Sequence, residues 1–264
     1  VSEKFISGRN NNFITEICKL KQKKYRNQTG LFYVEGIKLF KEVFNSTYRK
    51  NIRYIIILEE FAFDFSLPKL PQNASVVTVT SEVYKKITDE EAFQGVMCVI
   101  EKPGEDIILS YEKPVIILNS VRDPGNVGTV IRTANAVCGI DIILSEDCAD
   151  IYSGKTQRAA MGAVFRQNIK ISKNIETDIA NLKKNGYNIF AAHLDKNSRS
   201  IDEVEFNSKT AVVFGNEGNG IDGGIVSICD EKIIIPINQN SESLNVSVAA
   251  AIVLWEMRKG MELK

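Results

Sequence analysis

The chain has 264 residues, 44% of them hydrophobic and 25% charged, with 33 Lys/Arg matching 33 Asp/Glu, the composition of an ordinary globular protein large enough for one large or two modest cores. No run of about 18 apolar residues is present for a membrane helix, and the opening VSEKFISGRNNN lacks the apolar core of a signal peptide, so a cytoplasmic location is expected. Cys18, Cys98, Cys138, Cys148 and Cys229 are odd in number, scattered and without a CxxC pair, and His193 is the only histidine, which argues against a disulfide framework and against a metal site.

In chain order, residues 12–26 (NFITEICKLKQKKYR) predict one amphipathic helix, with Phe13, Ile17 and Leu20 on one face and Lys19, Lys23 and Arg26 largely elsewhere. A strand at 31–34, a turn at Glu35-Gly36 and a helix at 37–44 follow. Strands are then expected at 53–58, 75–79 and 95–100, with a short helix at 81–87 between the last two. This describes a small α/β domain over residues 1–102. Residues 103–113 (PGEDIILSYEK) carry Pro, Gly and charge and read as a linker. Beyond it, strands at 115–118 and 140–144 flank a helix at 126–137, a βαβ unit that calls for a largely parallel sheet. Further strands are expected at 168–171, 187–192, 210–214 and 232–235, and helices near 155–162, 175–185, 221–228 and 243–259. His193 falls at the end of one of those strands, where a local hydrogen bond accounts for it. The second domain is thus a doubly wound α/β unit over residues 114–264.

Charge is unevenly spread along this plan. Residues 1–55 hold 12 Lys/Arg against 4 Asp/Glu, and the remainder holds 21 against 29. A basic end is the footprint of a partner with a phosphate backbone, because neutralised phosphates release counterions. Arg9, Lys19, Lys21, Lys23 and Lys24 are the candidate contacts, although a solvated lysine face shows the same pattern.

Three stretches carry chemistry. Residues 235–255 (IPINQNSESLNVSVAAAIVLW) leave a strand through Pro236, cross a polar loop, and enter a helix that Ser243 or a neighbour can cap. Val248, Ile252 and Trp255 recur behind that helix at helical spacing, and Ala249, Ala250 and Ala251 keep one side thin. Upstream lie NSVRDPGNVGTVIRTANA (119–136) and VVFGNEGNGI (212–221). The glycines of the latter are spaced GxxGxG, neither a dinucleotide fingerprint nor a P-loop, but they allow a backbone to approach a flat ligand closely.

In this order the three stretches resemble the three signatures of the SpoU-type RNA 2′-O-ribose methyltransferases, of the knotted superfamily that uses S-adenosylmethionine. The resemblance runs from about Pro114 to the end. KLKQKKYRNQTGLFYVEG (19–36) is similar to the ribosomal-protein-like substrate-binding domain that precedes many ribosomal-RNA members. It implies an α/β fold with a small N-terminal substrate-binding domain and a C-terminal domain tied in a deep trefoil knot. It further implies a homodimer, a ribosomal RNA substrate, and no metal.

Carried over residue by residue, the resemblance makes Asn126, Arg132, Glu217, Ser243 and Asn245 catalytic, and Gly215, Ile235 and Leu244 cofactor-binding. A guanidinium stays protonated in proteins, so Arg132 reads as a fork that orients a phosphate and stabilises the developing alkoxide. Glu217, Ser243 and Asn245 would then hold that fork, and the hydroxyl proton would pass to phosphate or water. Two departures stand out: Cys138 occupies a common glycine position, with Gly139 displaced by one, and Ala160 replaces a common serine. Lys155 and Arg158, in the same segment as Ala160, are candidate RNA or dimer contacts. The rival readings are a transfer-RNA methyltransferase, a non-catalytic RNA-binding protein that keeps the fold, and another nucleotide-dependent enzyme using the same glycine loop.

Overall fold

The structure is a computed structural model that describes residues 3–62, 70–104, 107, 109–238 and 240–261. Within the expected linker, Glu105, Asp106 and Ile108 lie outside the described residues, as does Gln239 in the third stretch. The chain divides into two compact units, one of residues 1–104 with Tyr152–Phe165 and one of residues 105–151 and 166–264.

The first unit contains β1 (Glu3–Ile6), α1 (Asn12–Lys19), α2 (Lys23–Thr29), β2 (Leu31–Glu35), α3 (Ile37–Phe44), β3 (Ile52–Leu58), α4 (Glu59–Ala62), β4 (Ser75–Val79), α5 (Ser81–Ile87) and β5 (Val96–Glu101). Its five strands are ordered β1-β4-β3-β5-β2, with β1, β4 and β3 parallel and β5 antiparallel to both neighbours. The apolar faces of α1 (Ile14, Ile17) and α5 (Val83, Tyr84, Ile87) bury one side of this sheet against Ile56, Val77 and Met97.

The single helix expected over 12–26 is two helices. Lys19 ends α1, Gln22 is extended, and Arg26 from α2 folds back so that Nη1 donates to the carbonyls of Leu20 (2.7 Å) and Lys21 (2.9 Å). Carbonyls orphaned at a helix end need donors, and a buried guanidinium supplies them here. Arg26 is therefore structural. Strand β1 was not anticipated, since its apolar content is slight and its partner among the described residues, β4, is some seventy residues away along the chain.

The second unit is built on β6 (Val115–Leu118), α6 (Pro124–Val137) and β7 (Asp141–Ser145), then, after α7 (Gly154–Ala160), which belongs to the first unit, on β8 (Ile169–Ser172), α8 (Ile175–Lys184), β9 (Asn188–Ala192), β10 (Arg199–Ser200), β11 (Thr210–Phe214), α9 (Gly223–Ile228), β12 (Glu231–Ile234) and α10 (Val246–Lys259). Its seven strands, ordered β10-β12-β9-β11-β6-β7-β8, are parallel at every pairing. Both faces are covered, which is why VIIL and TAVVF read as unbroken apolar runs. From β6 the chain moves outward through β7 to β8, then returns to build the other side. The order reverses between β6 and β11, and the crevice above their carboxyl ends is where such sheets bind ligands. Residues 109–113 pack on this unit: Leu109 is buried in its core, and the carbonyls of Tyr111 and Lys113 accept from Lys209 Nζ and Tyr187 Oη.

Helix α10 packs against α6, and the Cys138 thiol donates to the Leu254 carbonyl at 3.2 Å. The buried face of α10 is Val246, Ser247, Ala250, Val253, Leu254 and Met257. Val248 and Trp255, read from spacing as backing the helix, are 48% and 51% exposed instead. Of the alanines at 249–251 only Ala250 lies on the buried face, and Val248 and Trp255 turn outward.

Candidate active site

The three signatures meet at the carboxyl edge of the parallel sheet. The first leaves β6, and the second leaves the adjacent β11. Asn119 N–H donates to the Phe214 carbonyl (2.8 Å) and Asn216 Nδ2 donates to the Ser120 carbonyl (2.8 Å), lashing the two turns together. Ser120 holds a left-handed φ of 59°, which costs a non-glycine residue free energy, and its N–H is satisfied by Ser145 Oγ at 2.8 Å. Ser145 Oγ in turn donates to Asp147 Oδ1 (2.6 Å), whose carboxylate also pairs with Arg122 (3.3 Å). Burial raises the Asp147 pKa, but the hydrogen bonds from Ser145, Ser120 and Arg122 outweigh it and hold the carboxyl below its usual range.

The second signature closes on itself. Asn216 and Gly220 exchange backbone hydrogen bonds at 3.0 and 2.9 Å, and Asn216 Oδ1 accepts from Gly218 N–H at 2.9 Å. Gly220 takes φ 70°. Gly215 has no room for a side chain: a Cβ there would lie 2.1 Å from the Gly220 carbonyl carbon and 2.2 Å from the Ile221 nitrogen.

At the head of α6, Asp123 caps the helix by accepting the Asn126 N–H at 2.8 Å, with Pro124 in the first turn. The Asn126 side chain is the junction of the site. Its Nδ2 donates to Glu217 Oε1 at 2.6 Å, and its Oδ1 accepts from Asn245 Nδ2 at 3.0 Å. One residue from each signature thus forms a continuous chain, across sequence separations of 91 and 119 residues. Asn245, not Ser243, caps α10, and its Oδ1 accepts both the N–H (2.9 Å) and the hydroxyl (2.7 Å) of Ser247.

Arg132 sits on α6, exposed, with no hydrogen bond or ion pair among the described residues. The expectation that Glu217, Ser243 and Asn245 hold its guanidinium is therefore corrected. Glu217 is committed to Asn126, Asn245 to Asn126 and Ser247, and Ser243 is exposed in the loop before α10 without a partner among the described residues. Asp123, Asn216 and Ser247 were not singled out from sequence; the DPG turn before α6 and the Asn-x-Ser spacing at α10 are the signals that could have found them.

Gly215 is buried where β11 gives way to the glycine loop, Ile235 is partly buried at the end of β12, and Leu244 is 36% exposed just before α10. Two apolar side chains and loop backbone at one sheet edge suit a flat heteroaromatic ligand with polar rims. A cavity of about 470 Å³ beside α9, lined by His193, Ile221, Gly223 and Cys229 among others, includes none of these three residues.

The basic candidates divide sharply. Lys19 pairs with Glu16 at 2.7 Å, and Lys21 pairs with Asp89 at 2.9 Å and donates to the Thr88 carbonyl at 2.8 Å. Lys23 is exposed and has an interaction of its own, while Lys24 and Arg9 are exposed with side chains that meet no partner among the described residues. Lys155 is exposed on α7, and Arg158 pairs with Glu90 at 2.9 Å within the first unit. Around that segment, the Phe32 ring lies 4.5 Å from Tyr152 and 6.4 Å from Phe165, and Gly162, at φ 83°, passes so close to Glu42 that a Cβ would meet its Cγ at 2.6 Å. Ala160 is fully buried there. The Cys138 departure is absorbed at the end of α6, where Gly139 takes the left-handed φ of 57° and bonds back to Ala134.

The parallel α/β domain gathers a carboxylate and two asparagines beside a glycine loop at its switch point, with Arg132 exposed on the same helix as Asn126. Residues 113–255 match the SpoU rRNA Methylase family and residues 11–98 the MRM3-like substrate binding domain. The chain is 30% identical over 256 residues to the 23S rRNA (guanosine(2553)-2′-O)-methyltransferase of Bacillus subtilis, covering 97% of this chain and 99% of that one. It is 32% identical over 148 residues to the tRNA (guanosine(18)-2′-O)-methyltransferase of Escherichia coli, covering 54% and 62%. An AdoMet-bound rRNA methyltransferase from Sinorhizobium meliloti superposes with a TM-score of 0.88 at 28% identity, over 99% of both chains. The chain belongs to the SpoU rRNA methylase family, whose domains are known to be knotted, and so to the S-adenosylmethionine-dependent 2′-O-ribose methyltransferases of RNA.

Proposed function

We propose that this protein methylates a ribose 2′-hydroxyl of ribosomal RNA, acting as a cytoplasmic homodimer. The hydrogen-bonded chain Glu217–Asn126–Asn245 carries the catalytic reading, because it draws one side chain from each signature to one point, and Arg132 of the first signature is exposed with no partner among the described residues. Bound S-adenosylmethionine supplies an electrophilic methyl group on a positively charged sulfur, and Gly215, Ile235 and Leu244 are the residues that would hold it. The chain's own task is to place a weak nucleophile in line and to stabilise the charge that appears as its proton leaves. Arg132, permanently charged and forked, orients the phosphate next to the target ribose and stabilises the developing alkoxide. Glu217, with Oε1 fixed by Asn126, turns Oε2 to a donor on the substrate. The proton leaves to phosphate or water.

Ribosomal RNA is favoured over transfer RNA because the Bacillus subtilis likeness spans both units, while the Escherichia coli tRNA likeness covers about half of this chain. The exposed apolar face of α10, with Val248 and Trp255, supports a second copy as its cover. Mapping 2′-O-methylation in ribosomal and transfer RNA from cells with and without the protein tests the substrate. A mark lost from ribosomal RNA is expected, and one lost only from transfer RNA refutes the assignment. Light scattering of Trp255→Lys tests the dimer; a variant with the wild-type mass would remove this face from the interface.

A further inference from the structure

We infer that Ser247 is a positioning residue for methyl transfer, its hydroxyl fixing the orientation of the Asn245 amide and, through it, of Asn126 and Glu217. This rests on the catalytic reading of those three residues. Asn245 Oδ1 receives two donors from Ser247, the backbone N–H at 2.9 Å and the hydroxyl at 2.7 Å. An amide end that accepts twice is its oxygen, so Nδ2 must face Asn126. Asn126 meets that donor with Oδ1 at 3.0 Å, which leaves only its Nδ2 for Glu217, and a carboxylate can only accept. Each member dictates the next, and the sense of the chain is set at Ser247.

Burial shows why the hydroxyl matters. Ser247 is 8% exposed, while Asn245 and Glu217 are exposed. The backbone N–H of Ser247 anchors one terminus of the exposed Asn245 amide, and the hydroxyl, as a second donor, holds that anchor against exchange with water. The second residue of α10 lies beside its cap, so a serine there reaches the Asn245 oxygen without distorting the helix. Alanine at 247 would keep the backbone N–H, and with it the cap, and remove only the second donor. Threonine would keep both.

The test uses the full chain, its Ser247→Ala, Ser247→Thr and Glu217→Gln variants, and ribosomal RNA extracted from cells lacking the protein. For Ser247→Ala, kcat should fall roughly tenfold, the scale of one lost hydrogen bond, while KM for RNA and affinity for S-adenosylmethionine stay within about twofold. The side-chain amide protons of Asn126 should exchange faster by NMR, a reading that needs no RNA. Ser247→Thr should restore both. Normal turnover in Ser247→Ala with Glu217→Gln impaired overturns the role of Ser247 alone, and normal turnover in both overturns the catalytic reading beneath it. Should the threonine variant fold poorly, unchanged Asn126 exchange in Ser247→Ala is itself enough to overturn the proposal.

Discussion

Replacing Gly215 by alanine tests how the second signature is built. Ordinary contact begins near 3.4 Å, and a Cβ at Gly215 would lie 2.1 Å from the Gly220 carbonyl carbon and 2.3 Å from its oxygen. The Gly220–Ile221 peptide would have to retreat by about 1.3 Å, and backbone cannot swing aside as a flexible side chain does. That movement breaks the two Asn216–Gly220 hydrogen bonds that close the loop. Overpacking costs about 1–3 kcal/mol and each hydrogen bond about 0.5–1.5, so a loss of roughly 2–6 kcal/mol is expected in urea denaturation. S-adenosylmethionine at one hundred times its Kd should stabilise the wild type by about 2.7 kcal/mol and the variant by almost nothing, if the loop holds the ligand. Gly260→Ala is the control: its Cβ would meet the Phe206 carbonyl oxygen at 1.8 Å, an equally severe clash away from the loop. It should lose comparable stability yet keep its cofactor affinity. A Gly215→Ala variant with a wild-type midpoint and wild-type affinity would refute this account of the loop, and equal loss of affinity in both variants would show that general destabilisation is responsible.

Lys24→Gln should lower the slope of log affinity for RNA against log salt by about one, because an unpaired lysine neutralises a phosphate. Lys21→Gln should instead cost stability with little change in slope, since Lys21 is spent on Asp89 and Thr88; a full loss of slope there would reverse the assignment. Burial pushes the Glu35 carboxyl above its usual 4.5, despite hydrogen bonds from Thr88 and Asp89. The folded state therefore keeps that proton where the unfolded chain has lost it, and stability drains away as pH rises through 4.5 and above. Glu35→Gln should accordingly gain on the wild type between pH 4 and 7 in thermal melts, and a gap that narrows over that range would contradict the sign. Arg132→Ala should leave the fold and cofactor affinity unchanged while methyl transfer falls by about a hundredfold or more, and Arg132→Lys should recover little, because charge without the planar fork is not enough. Near-normal turnover of the lysine variant would remove the orienting role.

Most elements were legible because their signals are local. The apolar runs at 115–118 and 210–214 read as strands, and the helix after the first of them, expected from 126, begins at Pro124. What escaped depends on partners far along the chain. The break between α1 and α2 is held by Arg26 reaching back to Leu20 and Lys21, which no periodicity records. Strand β1 exists because β4 offers it a parallel edge. On α10, spacing located an apolar stripe at Val248 and Trp255 but not the buried side, which is Val246, Ala250, Val253, Leu254 and Met257. Residues 152–165 follow β7 in sequence, yet their aromatic side chains belong to the first unit's core.

The site shows the same division between chemistry and pairing. Motif resemblance put Asn126, Glu217, Asn245 and Arg132 in one neighbourhood, and chemical type then suggested that the carboxylate should hold the arginine. In the structure an amide intervenes. Asn126 can donate with one end and accept with the other, so it joins Glu217 to Asn245 without neutralising Glu217. Had Glu217 paired with Arg132, the guanidinium would carry a carboxylate into the step where alkoxide charge develops, and its pull on the phosphate would weaken. Keeping the carboxylate on an amide leaves the arginine's charge undiminished for an anionic substrate. An exposed Arg132 that no carboxylate pairs among the described residues thus keeps its full charge for an anionic substrate.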